Sequence, residues 1–326
     1  MMRSILYALV MTLFPLALWA EVPDMKFLRL DTRDGLSNSS ILCLHRDSKG
    51  FMWIGTPYGL NRYDGYRFRT FYQDVKDTMS LRNNYVDEIY EDGEGLLWVR
   101  QGMNYTIFDP RTEKGDRHPE RVLEKWGVQG GLEFLYIDRE KNFWVKSYDQ
   151  GYWHVDVKSK KAHQFRLGYG DQEFNIDFGV SGYAETDRLL FVTSNNGEVF
   201  CFDKQKNRIL WKNNHLRQRG LVSNQSVKPR VDAWGNLWLI STGCVYVFKY
   251  DSNQWYYSLQ EALRAWGYEG VPDEMNVWDI RLDKENRYWI ATDHGGLYVV
   301  DPKDKVIRQF LNNKYDESTI SDNTVR

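Results

Sequence analysis

Three observations predict that this chain is an all-β propeller built of four-stranded blades. A short motif joining an acidic-glycine turn to an aromatic-led strand returns along the chain, with its aromatic residue at Trp53, Trp98, Trp144, Phe191, Trp238 and Trp289. The steps are 45, 46, 47, 47 and 51 residues, and self-similarity at such a period marks a repeat architecture. Each repeat divides into four short strand-like stretches, without the apolar period of about 3.6 residues that a helical repeat would show. The chain of 326 residues is also 15% aromatic, with 13 Trp and 21 Tyr, which is enough to fill large interfaces between blades.

In chain order, the first twenty residues read as an export signal. Arg3 supplies a positive start, residues 5–18 are an apolar stretch, and Leu18, Trp19 and Ala20 form a small-residue cleavage site before Glu21. Residues 1–20 are therefore assigned to a signal peptide and residues 21–326 to one propeller domain, incomplete at its C-terminal end. Residues 26–31 alternate as a strand ahead of the first repeat. The first repeat has strands at 41–46, 51–55, 60–64 and 67–71. The second has them at 86–91, 96–100 and 105–109, followed by a weaker outer strand. Similar quartets start at Leu132, Phe178, Val227 and Val277. Residues 320–325 match 36–41, 81–86 and 222–227, all of which lead into a blade's first strand. The expectation is six blades plus the start of a seventh at Val325, with residues 26–31 an edge strand awaiting a partner. The sequence is therefore read as part of a longer one.

Asp47 with Gly50, Asp92 with Gly95 and Asp232 with Gly235 bracket tight turns, where Asp bonds the backbone and Gly supplies positive φ. In the fourth repeat Asp187 is the acidic residue placed ahead of Phe191. Links between first and second strands, and between third and fourth, fall on one face of the disk and are short. Second-to-third links and the long blade-to-blade links fall on the other. Residues 119–126 and 259–266 in those long links carry helical patterns, each followed by Gly. Cys43, Cys201 and Cys244 are far apart and lie in strand-like segments, which fits buried apolar thiols better than a disulfide framework or a zinc site.

Composition narrows the function. With 43 basic and 45 acidic residues, nothing favours direct nucleic-acid binding. The six histidines have no paired spacing for a metal, and neither a nucleophile elbow nor a phosphate loop appears. No catalytic residue, metal or cofactor is assigned. Loops carrying variation on a rigid scaffold are where binding is usually built. Tyr58, Asn104, Tyr148, Asn195, Thr242 and Asp293 occupy second-to-third links, with His294 beside the last, while Trp126, Trp266 and Tyr268 lie in the helical insertions. Aromatic faces together with planar amides and carboxylates suit an oligosaccharide ligand.

The residues Asp34, Gly35, Leu36, Ser37 and Asn38, followed by Asp47, Gly50, Trp53, Gly55, Thr56, Gly59, Tyr63 and Gly65, closely resemble the two-component-regulator propeller repeat. The resemblance covers residues 27–326 and is weakest in the fourth repeat. It implies a periplasmic input module of a hybrid sensor histidine kinase of gut Bacteroidetes. In that family the module senses glycans, regulates polysaccharide-utilisation genes, acts as a homodimer through its ectodomain, and is joined to the membrane only by sequence beyond this chain. The alternatives are a carbohydrate-active propeller enzyme, a lyase or glycosidase, and a protein-interaction scaffold.

Overall fold

The computed structural model describes residues 25–148, 150–165 and 179–326; the signal segment 1–20 and the link 168–176 lie outside them. Among the described residues the strands form six four-stranded antiparallel sheets, each ordered sequentially from first strand to fourth. Blade one comprises Cys43–Arg46, Met52–Thr56, Gly59–Tyr63 and Phe68–Phe71. Blade two comprises Glu88–Glu91, Leu97–Gln101, Asn104–Asp109 and Lys114–Asp116. Blades three to six span residues 132–165, 180–213, 228–256 and 277–310. First strands of neighbouring blades approach one another, so they line the axis, and the fourth strands form the rim.

The recurrent aspartate does more than shape a turn. Asp47 Oδ1 accepts the Lys49 and Phe51 amides at 3.0 and 2.8 Å, while its Oδ2 accepts the Trp53 indole N–H at 2.8 Å. The same carboxylate-to-indole bond joins Asp92 to Trp98, Asp138 to Trp144, Asp232 to Trp238 and Asp283 to Trp289, always six residues apart. A buried indole N–H needs an acceptor, and this one ties the turn to the blade's largest side chain. Gly55 follows because a Cβ there would lie 2.5 Å from Cys43 Sγ and 2.6 Å from the Val86 carbonyl, so the lead-in to blade two can pass close by.

Blade four corrects the expected register. Asp187 is fully exposed, and the turn is made by Thr186, whose hydroxyl accepts the Leu189 amide at 2.9 Å. The residue six before Phe191 is Glu185, and with no indole to bond it accepts the Lys204 ammonium at 2.7 Å, the Tyr136 hydroxyl at 2.7 Å and the Arg139 amide at 2.9 Å. The aspartate–tryptophan bond is thus replaced by a buried ion pair within blade four, whose carboxylate also fastens that blade to blade three.

Five apolar clusters fill the five interfaces between consecutive blades from one to six. Both expected helices form, as α1 Glu120–Lys125 and α3 Leu259–Ala265, each stopped by a glycine with positive φ, Gly127 and Gly267. Between them lies α2, His215–Gln218, which the sequence did not signal because it is a single turn.

Two further expectations change. Residues 26–31 pair into no sheet; the segment lies against residues 316–320, with the Phe27 amide donating to the Ser318 carbonyl at 2.7 Å. Cys244 is exposed at the first position of its strand, whereas Cys201 is buried and Cys43 packs beside Gly55. Burial pushes the Cys43 and Cys201 thiols up to about 12, and only the thiolate reacts. Titration of the native protein with Ellman's reagent is therefore expected to show one fast thiol, lost in Cys244→Ser; fast reaction persisting in that variant would refute the assignment.

Candidate functional site

Second-to-third links are bonded to the lead-in of their own blade or of the next. The Gly59 amide donates to the Asn84 carbonyl, Tyr148 to Gly131, Gln225 to Asn195 and Asp293 to Asn276. These links and the long insertions therefore share one face, as the strand alternation predicts. On it Tyr58 is 61% and Tyr148 54% exposed, and Asn104 and Thr242 are exposed. Asn195 is half-buried and holds the Ser181 hydroxyl. His294 is an exposed turn residue with φ +62°, its Nδ1 within 3.1 Å of the Thr324 hydroxyl, which also donates to Asp293 at 3.1 Å.

The aromatic residues of the insertions are placed differently. Tyr268 is buried in the core between blades five and six, and Trp266 packs edge-on against Trp238 and Tyr256 at 5.6 and 5.7 Å. Trp126 packs on Phe143 at 5.1 Å in the core between blades two and three. All three follow or end a helix whose apolar side must be covered, so they anchor the insertions instead of offering free faces to a ligand.

First strands start on this same face, and charged side chains of first and second strands pair around the axis. Arg100 pairs with Glu88 at 3.0 Å, Lys146 with Glu133 at 2.7 Å, and Asp279 with both Arg230 and Arg281 at 2.9 and 3.0 Å. Deeper in, Tyr136 stacks on Tyr183 at 4.8 Å and meets Tyr90 edge-on at 5.7 Å. Burial raises the Glu88 and Asp87 carboxyls above their usual range against the pull of Arg100, and it lowers Arg230. Sequence reasoning missed this cluster. Its signal was opposite charge at facing positions of first and second strands, as in Glu88 opposite Arg100.

A second concavity lies on the rim between the fourth strands of blades four and five, Arg208–Asn213 and Gln254–Tyr256. It encloses about 470 Å³ and is lined by Lys212, Asn213, Asn214, His215, Gln218, Asn253, Trp255 and Tyr257. His215 stacks on Trp255 at 4.7 Å, and its Nε2 lies 2.9 Å from the Tyr257 hydroxyl. Burial and the nearby Arg219 both lower the imidazole pKa, favouring the neutral ring. Four planar amides beside aromatic rings can hydrogen-bond vicinal hydroxyls. Among the described residues, no group of three His, Cys, Asp or Glu side chains is placed to hold a metal ion.

Residues 35–58, the first repeat's lead-in and leading strands, match the family model of the two-component regulator propeller. The chain carries that propeller repeat. Histidine kinase P4 of Formosa agariphila is 33% identical over 66 residues, 20% of this chain and 5% of that protein. The extracellular domain of a B. thetaiotaomicron hybrid two-component system superposes with a TM-score of 0.63 at 19% identity, over 92% of this chain and 38% of that one. The extracellular domain of a B. thetaiotaomicron one-component system does so with 0.61 at 16% identity, over 92% and 36%. This chain thus spans little more than a third of the solved relatives it matches. At these identities the likeness establishes the fold. A chain of the mitotic checkpoint complex also superposes, with 0.53 at 11% identity, so the propeller alone does not specify a role. Among the described residues no helix is long and apolar enough to cross a membrane.

Proposed function

We propose that this chain is the exported, periplasmic sensing propeller of a two-component signalling protein, that its ligand is an oligosaccharide, and that it is not itself an enzyme. The repeat matched at residues 35–58 and the extracellular origin of the similar solved structures support the sensor reading. One observation carries the ligand class: Tyr58, Tyr148 and Asn104 stand exposed on the face where the first strands start, and a separate amide-lined groove lies on the rim between blades four and five. Tyrosine rings take the C–H face of a sugar, and the amides and paired charges take its hydroxyls. Binding would act by favouring one arrangement of the sensor's parts, in this reading a homodimer controlling polysaccharide-utilisation genes.

Calorimetric titration against a panel of neutral and acidic oligosaccharides tests this. A binder is expected, and Tyr58→Ala with Tyr148→Ala is expected to weaken it about tenfold or more. If Asn214→Ala with Gln218→Ala weakens it while the tyrosine pair does not, the site is the rim groove. Absence of heat across the panel overturns the ligand class, and cleaved products overturn the sensor reading in favour of a carbohydrate-active enzyme.

A further inference from the structure

The outer side of blade two carries a hollow of about 1030 Å³, more than twice the volume of the rim groove between blades four and five. Three stretches wall it: the lead-in to the blade at residues 73–82, the third and fourth strands with the turn that joins them, and α1. Ile107, Leu96 and Val122 form an apolar floor. Ile107 is a buried member of the core between blades two and three, and the other two pack against that core. Met79, 45% exposed, adds an apolar edge from the lead-in. No Phe, Trp or Tyr lines the hollow, so it lacks the flat faces that stack on a sugar ring.

Its charge is unbalanced. Arg82, Arg111, Lys114 and Arg117 line it, against the two carboxylates of Asp109 and Asp116. Asp109 is taken by the Arg111 guanidinium at 2.9 Å, Asp116 accepts the His118 amide at 2.9 Å, and the His118 imidazole lies 3.0 Å from Glu120. Among the described residues, the ion pairs at the hollow are those of Arg111 and His118, and no carboxylate pairs with Arg82, Lys114 or Arg117. Backbone oxygens hold the two half-buried arginines instead. Arg117 Nε donates to the Ser80 carbonyl at 3.0 Å and its Nη2 to the Asp77 and Leu81 carbonyls at 3.0 Å, while Arg82 Nη2 donates to the Arg117 carbonyl. Carbonyls fix a guanidinium in place without cancelling its charge. Arg82 Nε, moreover, is a buried N–H with no acceptor among the described residues. The half-buried Arg100, Arg230 and Arg287, by contrast, each meet a carboxylate, at 3.0, 2.9 and 2.7 Å.

We propose that this hollow binds a small organic anion, with an apolar chain or ring on Ile107, Leu96 and Val122 and a carboxylate or sulfate group held by Arg82, Lys114 and Arg117. A guanidinium presents planar N–H pairs that match two oxygens of such a group, and the lysine adds a mobile point charge. A purely apolar molecule would strip water from the cations and give no counter-charge in return. A bare inorganic anion would leave the apolar floor wet. One molecule carrying both parts satisfies both, and the volume lies near the upper end, about 1,000 Å³, of pockets that take small molecules. The site shares no residue with the oligosaccharide face and does not depend on that reading.

Calorimetric titration of the full chain with octyl sulfate and with octanoate, each below the concentration at which it aggregates, tests this. Octyltrimethylammonium, 1,2-octanediol and inorganic sulfate serve as the cationic, neutral and chain-free comparisons. One of the two anions at least is expected to bind at a single site, about tenfold or more tighter than all three comparisons. The tighter of the two identifies the head group. Lys114→Glu is expected to weaken that binding about tenfold or more, and Lys114→Arg to keep it within about threefold. The Lys114 side chain is exposed and carries no ion pair, so neither change threatens the fold. Equal binding of the diol would overturn the proposal by showing that the hollow takes any apolar chain. Anion binding that Lys114→Glu leaves unchanged would overturn it by placing the site elsewhere, and absence of binding by both anions would overturn it outright.

Discussion

Asp232→Ala is expected to lower the unfolding free energy by about 3–5 kcal/mol in urea denaturation. The carboxylate accepts five hydrogen bonds: the Trp234 and Asn236 amides at 2.9 and 2.8 Å, the Asn236 side chain at 2.7 Å, the Trp238 indole at 3.0 Å and the Tyr288 hydroxyl of blade six at 2.9 Å. Its loss strands an indole N–H and a phenol in the core between two blades, where water cannot replace the acceptor. Asp187→Ala is the control. That side chain is fully exposed ahead of a phenylalanine with no N–H to bond, and the change is expected to cost less than about 0.5 kcal/mol. Equal losses in the two variants would show that the buried hydrogen bonds of Asp232 contribute nothing beyond what an exposed aspartate does.

Glu185→Ala is expected to cost about 3–5 kcal/mol, because it leaves the Lys204 ammonium buried without its partner. Their side chains are 5% and 1% exposed, and the same carboxylate also holds Tyr136 and Arg139 of blade three. The double variant Glu185→Leu with Lys204→Met removes both charges and is expected to be more stable than Glu185→Ala. If the double variant is the less stable, the pair stabilises the protein by more than its geometry accounts for. Loss of cooperativity between blades three and four, read as a biphasic transition, is the further expected sign of Glu185→Ala.

Much of the architecture was legible because a blade's local needs recur. The Asp-to-Trp spacing, the glycine turns and the alternating strands are short-range, so blade one was readable from 41 to 71 with strand ends shifted by at most two residues. Blade four was read out of register because its substitute partner, Lys204, lies on the far side of two strands. The candidate site was only partly legible. Tyr58, Asn104, Tyr148 and His294 are on the open face because link position is fixed by strand alternation. Trp126, Trp266 and Tyr268 are not free, because a helix's apolar side must find cover and neighbouring blades supply it.

By itself the sequence determined the repeat, the number of blades it encodes and the face on which its long links lie. Those follow from spacing, turn residues and strand period, each set within a few residues of chain. Only the tertiary structure decided which aromatic residues are spent on packing, which charges gather at the axis, and that residues 27–29 lie against residues 316–320. These depend on contacts between residues up to 291 positions apart, as from Arg29 to Ile320, and no local pattern encodes them.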